Sequence, residues 1–164
     1  MNAPADDDGC WYFAYGSNMQ RATFIERRGM QPRDVRRAYL DDHRLCFDLP
    51  IGPGERGVAN LVVEPGARTW GVAYHLSAAA CDFLDRTEGV DRGFYRRIAI
   101  AAMTDEGERL AAFAYQGERR DARRKPSARY LGLLLAGARE WALPAEYLAW
   151  LASLPLAVDE RDAG

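Results

Sequence analysis

Trp11-Tyr12-Phe13-Ala14-Tyr15-Gly16-Ser17-Asn18-Met19 is the stretch on which the fold turns: an apolar run that changes abruptly to small polar residues. The run Trp11 to Tyr15 reads as a buried strand. It breaks at Gly16-Ser17-Asn18, and a helical pattern starts near Met19 and passes through Phe24 and Ile25 to Gly29, which ends it. Where a strand hands over to a helix, the N–H groups of the loop and first helical turn have no partner within the helix, so they are free to hold an anion or a polarised carbonyl. Gly16 permits close approach. The bland alternative is that Ser17 or Asn18 is only a helix cap, which is the usual role of such residues. The stretch lacks the extended glycine pattern and Lys-Ser/Thr ending of a phosphate-binding loop, which argues against a nucleotide site.

Upstream, residues 1–10 are rich in Asp and small residues and read as a disordered lead-in. Three acids, Asp6, Asp7 and Asp8, stand where a secretory signal needs a basic and then an apolar stretch, so a cytoplasmic location is expected. Downstream, imperfect alternation over Val35 to Leu49 suggests extended chain interrupted near Asp41-Asp42-His43. Ala59 to Glu64 and Thr69 to Leu76 read as two strands of a hairpin around Pro65-Gly66. Ser77 caps a helix whose inner face carries Ala80, Phe83, Leu84 and Thr87, with Gly89 as terminator. Tyr95 to Met103 and Arg109 to Tyr115 form a second hairpin. Ser127 caps a helix burying Tyr130, Leu131, Leu134, Leu135, Ala138 and Trp141, and a shorter helix follows Pro144. About six strands and four helices without regular alternation give an α+β class, with one domain over 11–156 and a tail over 157–164.

The 164 residues suffice for one core without staples. No apolar run approaches the roughly 20 residues of a membrane-spanning helix, so no membrane partner is expected. A net charge of −2 argues against nucleic acid as a partner, since such proteins need a basic face. Lys125 is the only lysine among 22 basic residues, a skew attributed to a GC-rich genome. Cys10, Cys46 and Cys81 are scattered and odd in number, and are expected to be reduced thiols. His43 and His75 are too isolated for metal-ligand spacing, and no G-x-S-x-G signature is present.

Glu88 is the residue most suggestive of chemistry. It lies in the last turn of the helix capped by Ser77, on the side of Ala80 and Leu84, so it points inward or into a cleft. Partial burial and the negative end of the helix dipole both disfavour its ionised form, which raises its pKa toward the range useful for proton transfer. With the helix rotated or frayed, Glu88 would instead be a solvated terminal residue. Tyr95 and Arg97 project to one side of the following strand and offer a hydroxyl and a cation near the helix that carries Glu88, or serve equally as structural hydrogen-bonders.

Three blocks then combine: Phe13-Ala14-Tyr15-Gly16-Ser17-Asn18-Met19, Glu88-Gly89-Val90-Asp91-Arg92-Gly93-Phe94-Tyr95-Arg96-Arg97 and Pro126-Ser127-Ala128-Arg129-Tyr130. In content and order they resemble the signature blocks of the gamma-glutamylcyclotransferase family, and the likeness runs from about Tyr12 to Leu154. The Tyr-Gly-Ser-Asn loop is closer to the family's namesake branch than to the gamma-glutamylamine branch, whose loop usually reads Tyr-Gly-Thr-Leu, or to the glutathione-specific branch. The resemblance implies a small mixed β-barrel with flanking helices. It implies Glu88 as general acid/base and Tyr15, Gly16, Ser17, Asn18, Met19, Tyr95 and Tyr130 as substrate-binding residues. The implied reaction closes the gamma-glutamyl group of an amino acid or amide into 5-oxoproline and releases the amine, with no cofactor and no metal. The implied partner is a small-molecule gamma-glutamyl substrate. The same chemistry on a carrier-linked or biosynthetic substrate, and a non-catalytic gamma-glutamyl-binding module, are the alternatives.

Overall fold

The structure, a computed structural model, describes residues 8–158. Most of the expected lead-in and tail therefore lies outside the described residues. Five strands, β1 (Cys10–Ala14), β2 (Asp34–Pro50), β3 (Gly57–Leu76), β4 (Arg96–Thr104) and β5 (Arg109–Gln116), close into a barrel in the order β1-β3-β2-β4-β5. β1 joins β5 in parallel and every other pair is antiparallel, so the barrel is mixed, as the resemblance implies. Three α-helices flank it: α1 (Ala78–Thr87), α2 (Ala128–Glu140) and α3 (Ala145–Ala152). Ser77 and Ser127 cap α1 and α2 as expected, each accepting the N–H three residues on at 3.1 Å.

The barrel has five strands where about six were expected, and the reason is local. Ala59–Glu64 and Thr69–Leu76 are not a hairpin but two halves of the single 20-residue β3, both paired with β2. Between the pairs Asp41↔Arg68 and His43↔Val63 the register shifts, with Asp42 at φ 60 and Gly66 at φ 86. The Gly66 N–H donates to the Asp42 carboxylate at 2.9 Å. Pro65-Gly66 has turn chemistry, but the partner that holds it sits on the neighbouring strand, so β2 and β3 bend together instead of β3 reversing.

The helix expected from Met19 to Gly29 is also different. Ser17–Met19 form a 3₁₀ turn and Ala22–Arg27 a π-helical turn. This pairing of a tight and a wide turn buries both Met19 and Phe24, and Phe24 stacks on Tyr74 at 4.2 Å. α2 presses against the same segment: the Trp141 indole, just past its end, donates to the Met19 carbonyl at 2.7 Å. A Cβ on Gly137 would come within 2.8 Å of Met19 and Gln20. Leu84 faces the core as expected, but Phe83, also assigned to the inner face of α1, is 40% exposed, and Cys81 takes its place in the core.

Cys10 and Cys81 are joined by a disulfide that ties the first residue of β1 to α1, which corrects the expectation of three reduced thiols. Two cysteines 71 positions apart carry no spacing signal of their pairing. Cys46 is the free thiol among the described residues, and burial pushes its pKa up to about 12. Cys10 within β1, and Ala157, buried with its N–H on the Pro126 carbonyl at 2.8 Å, lie just outside the expected span of 11–156 yet belong to the packed body.

Candidate active site

β1 ends at Ala14, where its pairing with β3 stops at Val72, and the chain turns over the barrel mouth. Tyr15 sends its hydroxyl to the Tyr115 carbonyl on β5, which anchors the loop as it leaves the strand. The 3₁₀ turn then places Asn18, 6% exposed, with its amide nitrogen donating to the Tyr12 hydroxyl at 2.9 Å and to Glu88 Oε1 at 3.3 Å. Asn18 Oδ1 is buried and has no hydrogen-bond partner among the described residues. A buried acceptor without a donor is uncommon enough to call for an explanation.

Glu88 is the first residue beyond α1, and its N–H still reaches the Leu84 carbonyl at 2.8 Å. Gly89 follows at φ 69, a conformation few other residues adopt, and turns the chain away so that the carboxylate stays at the barrel mouth. The Glu88 side chain is 14% exposed and pairs with Arg28 Nη1 at 3.2 Å. Arg28 is held in turn by the Thr87 hydroxyl at 3.0 Å. Burial raises the Glu88 pKa above its usual 4.5, and the charge of Arg28 and the Asn18 and Arg28 hydrogen bonds only partly offset that effect.

Tyrosines complete the walls. Tyr130, from the first turn of α2, accepts the Ala59 N–H at 3.1 Å, and Tyr95 donates to the Ala59 carbonyl at 3.3 Å. Tyr115 donates to Asp85 at 2.6 Å. Burial holds all of these phenols in the neutral form, with Tyr130 pushed up to about 12, Tyr12, Tyr95 and Tyr115 higher still, and Tyr15 well above its ordinary value. Together they enclose a cavity of about 50 Å³ that Glu88 and Asn18 also line. One carboxylate with a raised pKa, one guanidinium and a ring of neutral hydroxyls suit proton transfer within a small polar ligand.

Tyr15, Gly16, Ser17, Asn18, Glu88, Tyr95 and Tyr130, expected from separate parts of the sequence, all border this cavity. Met19 does not. It is fully buried beneath α2, because the 3₁₀ turn rotates it away from the mouth. Arg97, on β4, does lie against the helix that carries Glu88, where it pairs with Asp85 of α1 at 2.7 Å, but the cation on Glu88 itself is Arg28. Tyr12, Arg28, Ala59 and Tyr115 were missed. Alternation with Ala14 along β1 was a signal for Tyr12, whereas Arg28 carried none, being one of two adjacent arginines in a polar stretch.

The model of the AIG2-like family matches residues 68–151. The chain is 32% identical to a gamma-glutamylcyclotransferase of Bos taurus over 91% of its length and 80% of the relative's. It is 31% identical to a gamma-glutamylcyclotransferase of Homo sapiens, with 87% and 77% of the two chains covered. A solved structure of a gamma-glutamyl cyclotransferase superposes with a TM-score of 0.80 at 27% identity, covering 90% of this chain and 89% of that one. The chain belongs to the gamma-glutamylcyclotransferase family.

Proposed function

We propose that the chain cyclises the gamma-glutamyl group of a gamma-glutamyl amino acid or amide to 5-oxoproline, with Glu88 as the general acid/base. The observation that carries this reading is the Glu88 carboxylate, largely but not fully buried at the barrel mouth between Asn18 and Arg28, in a cavity ringed by neutral phenols. The activity named for its relatives supports it.

The substrate brings its own nucleophile, so the protein has to fold it and move protons. Bringing the α-amine against the γ-carbonyl converts the attack into a well-oriented intramolecular step, for which about 7–11 kcal/mol is available from proximity. An α-ammonium with a pKa near 8 must first lose a proton, and the Glu88 carboxylate takes it. The amine nitrogen then bonds to the γ-carbon and the amide carbon–nitrogen bond breaks. The α-ammonium sheds two protons in becoming the lactam N–H, and the leaving nitrogen gains two in departing as an ammonium, so Glu88 is restored. The Asn18 Oδ1 acceptor, which lacks a partner among the described residues, receives an N–H of the substrate amine. Backbone N–H groups of Gly16 and Ser17 along the cavity wall hold the α-carboxylate or the developing oxyanion. Tyr95 and Tyr130 present neutral hydroxyls to the rest of the glutamyl chain.

Incubation with a panel of gamma-glutamyl compounds and quantification of 5-oxoproline tests the reading. Release from at least one compound is expected. Thermal protection by several compounds without release from any would identify a binding module instead.

A further inference from the structure

Glu88 and Tyr95 line a second hollow as well as the catalytic cavity. It is larger, about 450 Å³, and its walls are Leu49, Pro50, Ile51, Val58 and Phe94. No residue of the Tyr15–Asn18 loop borders it. Arg92 and Arg119 stand at this hollow with their guanidinium carbons 5.3 and 5.5 Å from the centre of the Phe94 ring. Their neighbours in sequence are ion-paired: Arg96 with Glu118, Arg97 with Asp85, Arg120 with Asp48. Among the described residues, neither Arg92 nor Arg119 has a carboxylate partner. Ile51 and Phe94 are nearly half exposed, although they are large and apolar. An apolar trough with two cations that have no carboxylate partner among the described residues is therefore contiguous with the catalytic acid.

If the γ-glutamyl group is folded in the small cavity and its amide nitrogen meets Glu88, the group on that nitrogen must leave past Glu88 and Tyr95. The geometry points to the larger hollow as the leaving-group subsite, selecting an amino acid with a large apolar side chain and a free carboxylate. This inference rests on the function proposed above. The side chain lies against Leu49, Ile51, Val58 and Phe94, and the carboxylate meets Arg92 and Arg119, whose forked donors match it. A glycine leaving group lacks the first contact, and an uncharged amine lacks the second.

The test measures kcat and KM by 5-oxoproline release for gamma-glutamyl-phenylalanine, gamma-glutamyl-glycine and gamma-glutamyl-phenethylamine. Wild-type enzyme and the double variant Arg92→Ala, Arg119→Ala are compared. In wild type, kcat/KM for the phenylalanine compound exceeds that for each of the others by about 10-fold or more. The double variant lowers kcat/KM about 10-fold for the two carboxylate-bearing substrates, through KM, and the loss is confined to them. Equal kcat/KM for all three in wild type, or a loss in the double variant that ignores the carboxylate, overturns the subsite while leaving the activity intact. No 5-oxoproline from any compound overturns the proposed function and this inference with it.

Discussion

Asn18→Leu separates stability from function at this site. In the folded protein the Asn18 amide nitrogen makes two hydrogen bonds, to Tyr12 at 2.9 Å and to Glu88 at 3.3 Å, while Oδ1 is buried without a partner among the described residues. The neutral bond is worth about 0.5–1.5 kcal/mol, and the bond to the carboxylate, long at that distance, falls near the lower end of about 1.5–3 kcal/mol. Against these losses, leucine removes a buried unpaired acceptor whose burial costs about 1–3 kcal/mol. The terms nearly cancel, so the variant should unfold in urea within about 1 kcal/mol of wild type, a shift of about 2–4 °C in Tm for a chain of this size. Activity should respond quite differently. The acceptor for the substrate amine is gone, and Glu88 loses a hydrogen bond that holds its pKa down. A fall of about 10²-fold in kcat/KM, equivalent to about 2.7 kcal/mol, is expected, and the acid limb of the pH profile should move to higher pH. A limb that stays put or moves lower, or full activity in a variant that still folds, would refute this reasoning.

Gly137→Ala should destabilise the protein by about 1–3 kcal/mol, because the new methyl falls 2.8 Å from Met19 and Gln20 and must lift α2 off the loop; urea unfolding measures this, and kcat should drop with it. Glu88 also has a pH signature in stability. Its folded pKa lies above 4.5, so relative to Glu88→Gln the wild type is favoured below that pH and loses the advantage as pH rises through the raised value. Unfolding curves of both proteins across that range give the slope, and a flat or rising difference would contradict the burial of an ionised Glu88. Alkylating the unfolded, unreduced chain should label one thiol, Cys46, since Cys10 and Cys81 are bridged; three labelled thiols would show the bridge absent.

The site was more legible than the path the chain takes to build it. Glu88 was readable because a short helix with Ser77 at one end and Gly89 at the other leaves little freedom in which side faces the barrel. Tyr15 to Asn18 was readable because an apolar run that stops at Gly-Ser-Asn must turn at the surface. Pro65-Gly66 misled for a physical reason: the same residues that reverse a chain also bend one, and the choice depends on Asp42, 24 positions away. Met19 followed the helical pattern only as far as the backbone was helical, and a 3₁₀ turn has a different period. Arg28 became the partner of Glu88 through a π-helical turn that no periodicity announces. The Cys10–Cys81 pairing is a property of tertiary contact between β1 and α1, and spacing does not carry it.

The most direct test of Glu88 as the proton carrier is the turnover of Glu88→Gln beside wild type on one substrate that the wild type cyclises, with both proteins shown folded by thermal unfolding. Glutamine fits the space and can still hydrogen-bond to Asn18 and Arg28, but it cannot take up a proton at the pH of the assay. A loss of about 10²–10⁴-fold in kcat, together with the disappearance of the acid limb of the pH profile, is the predicted result. Wild-type turnover in the folded variant would contradict it.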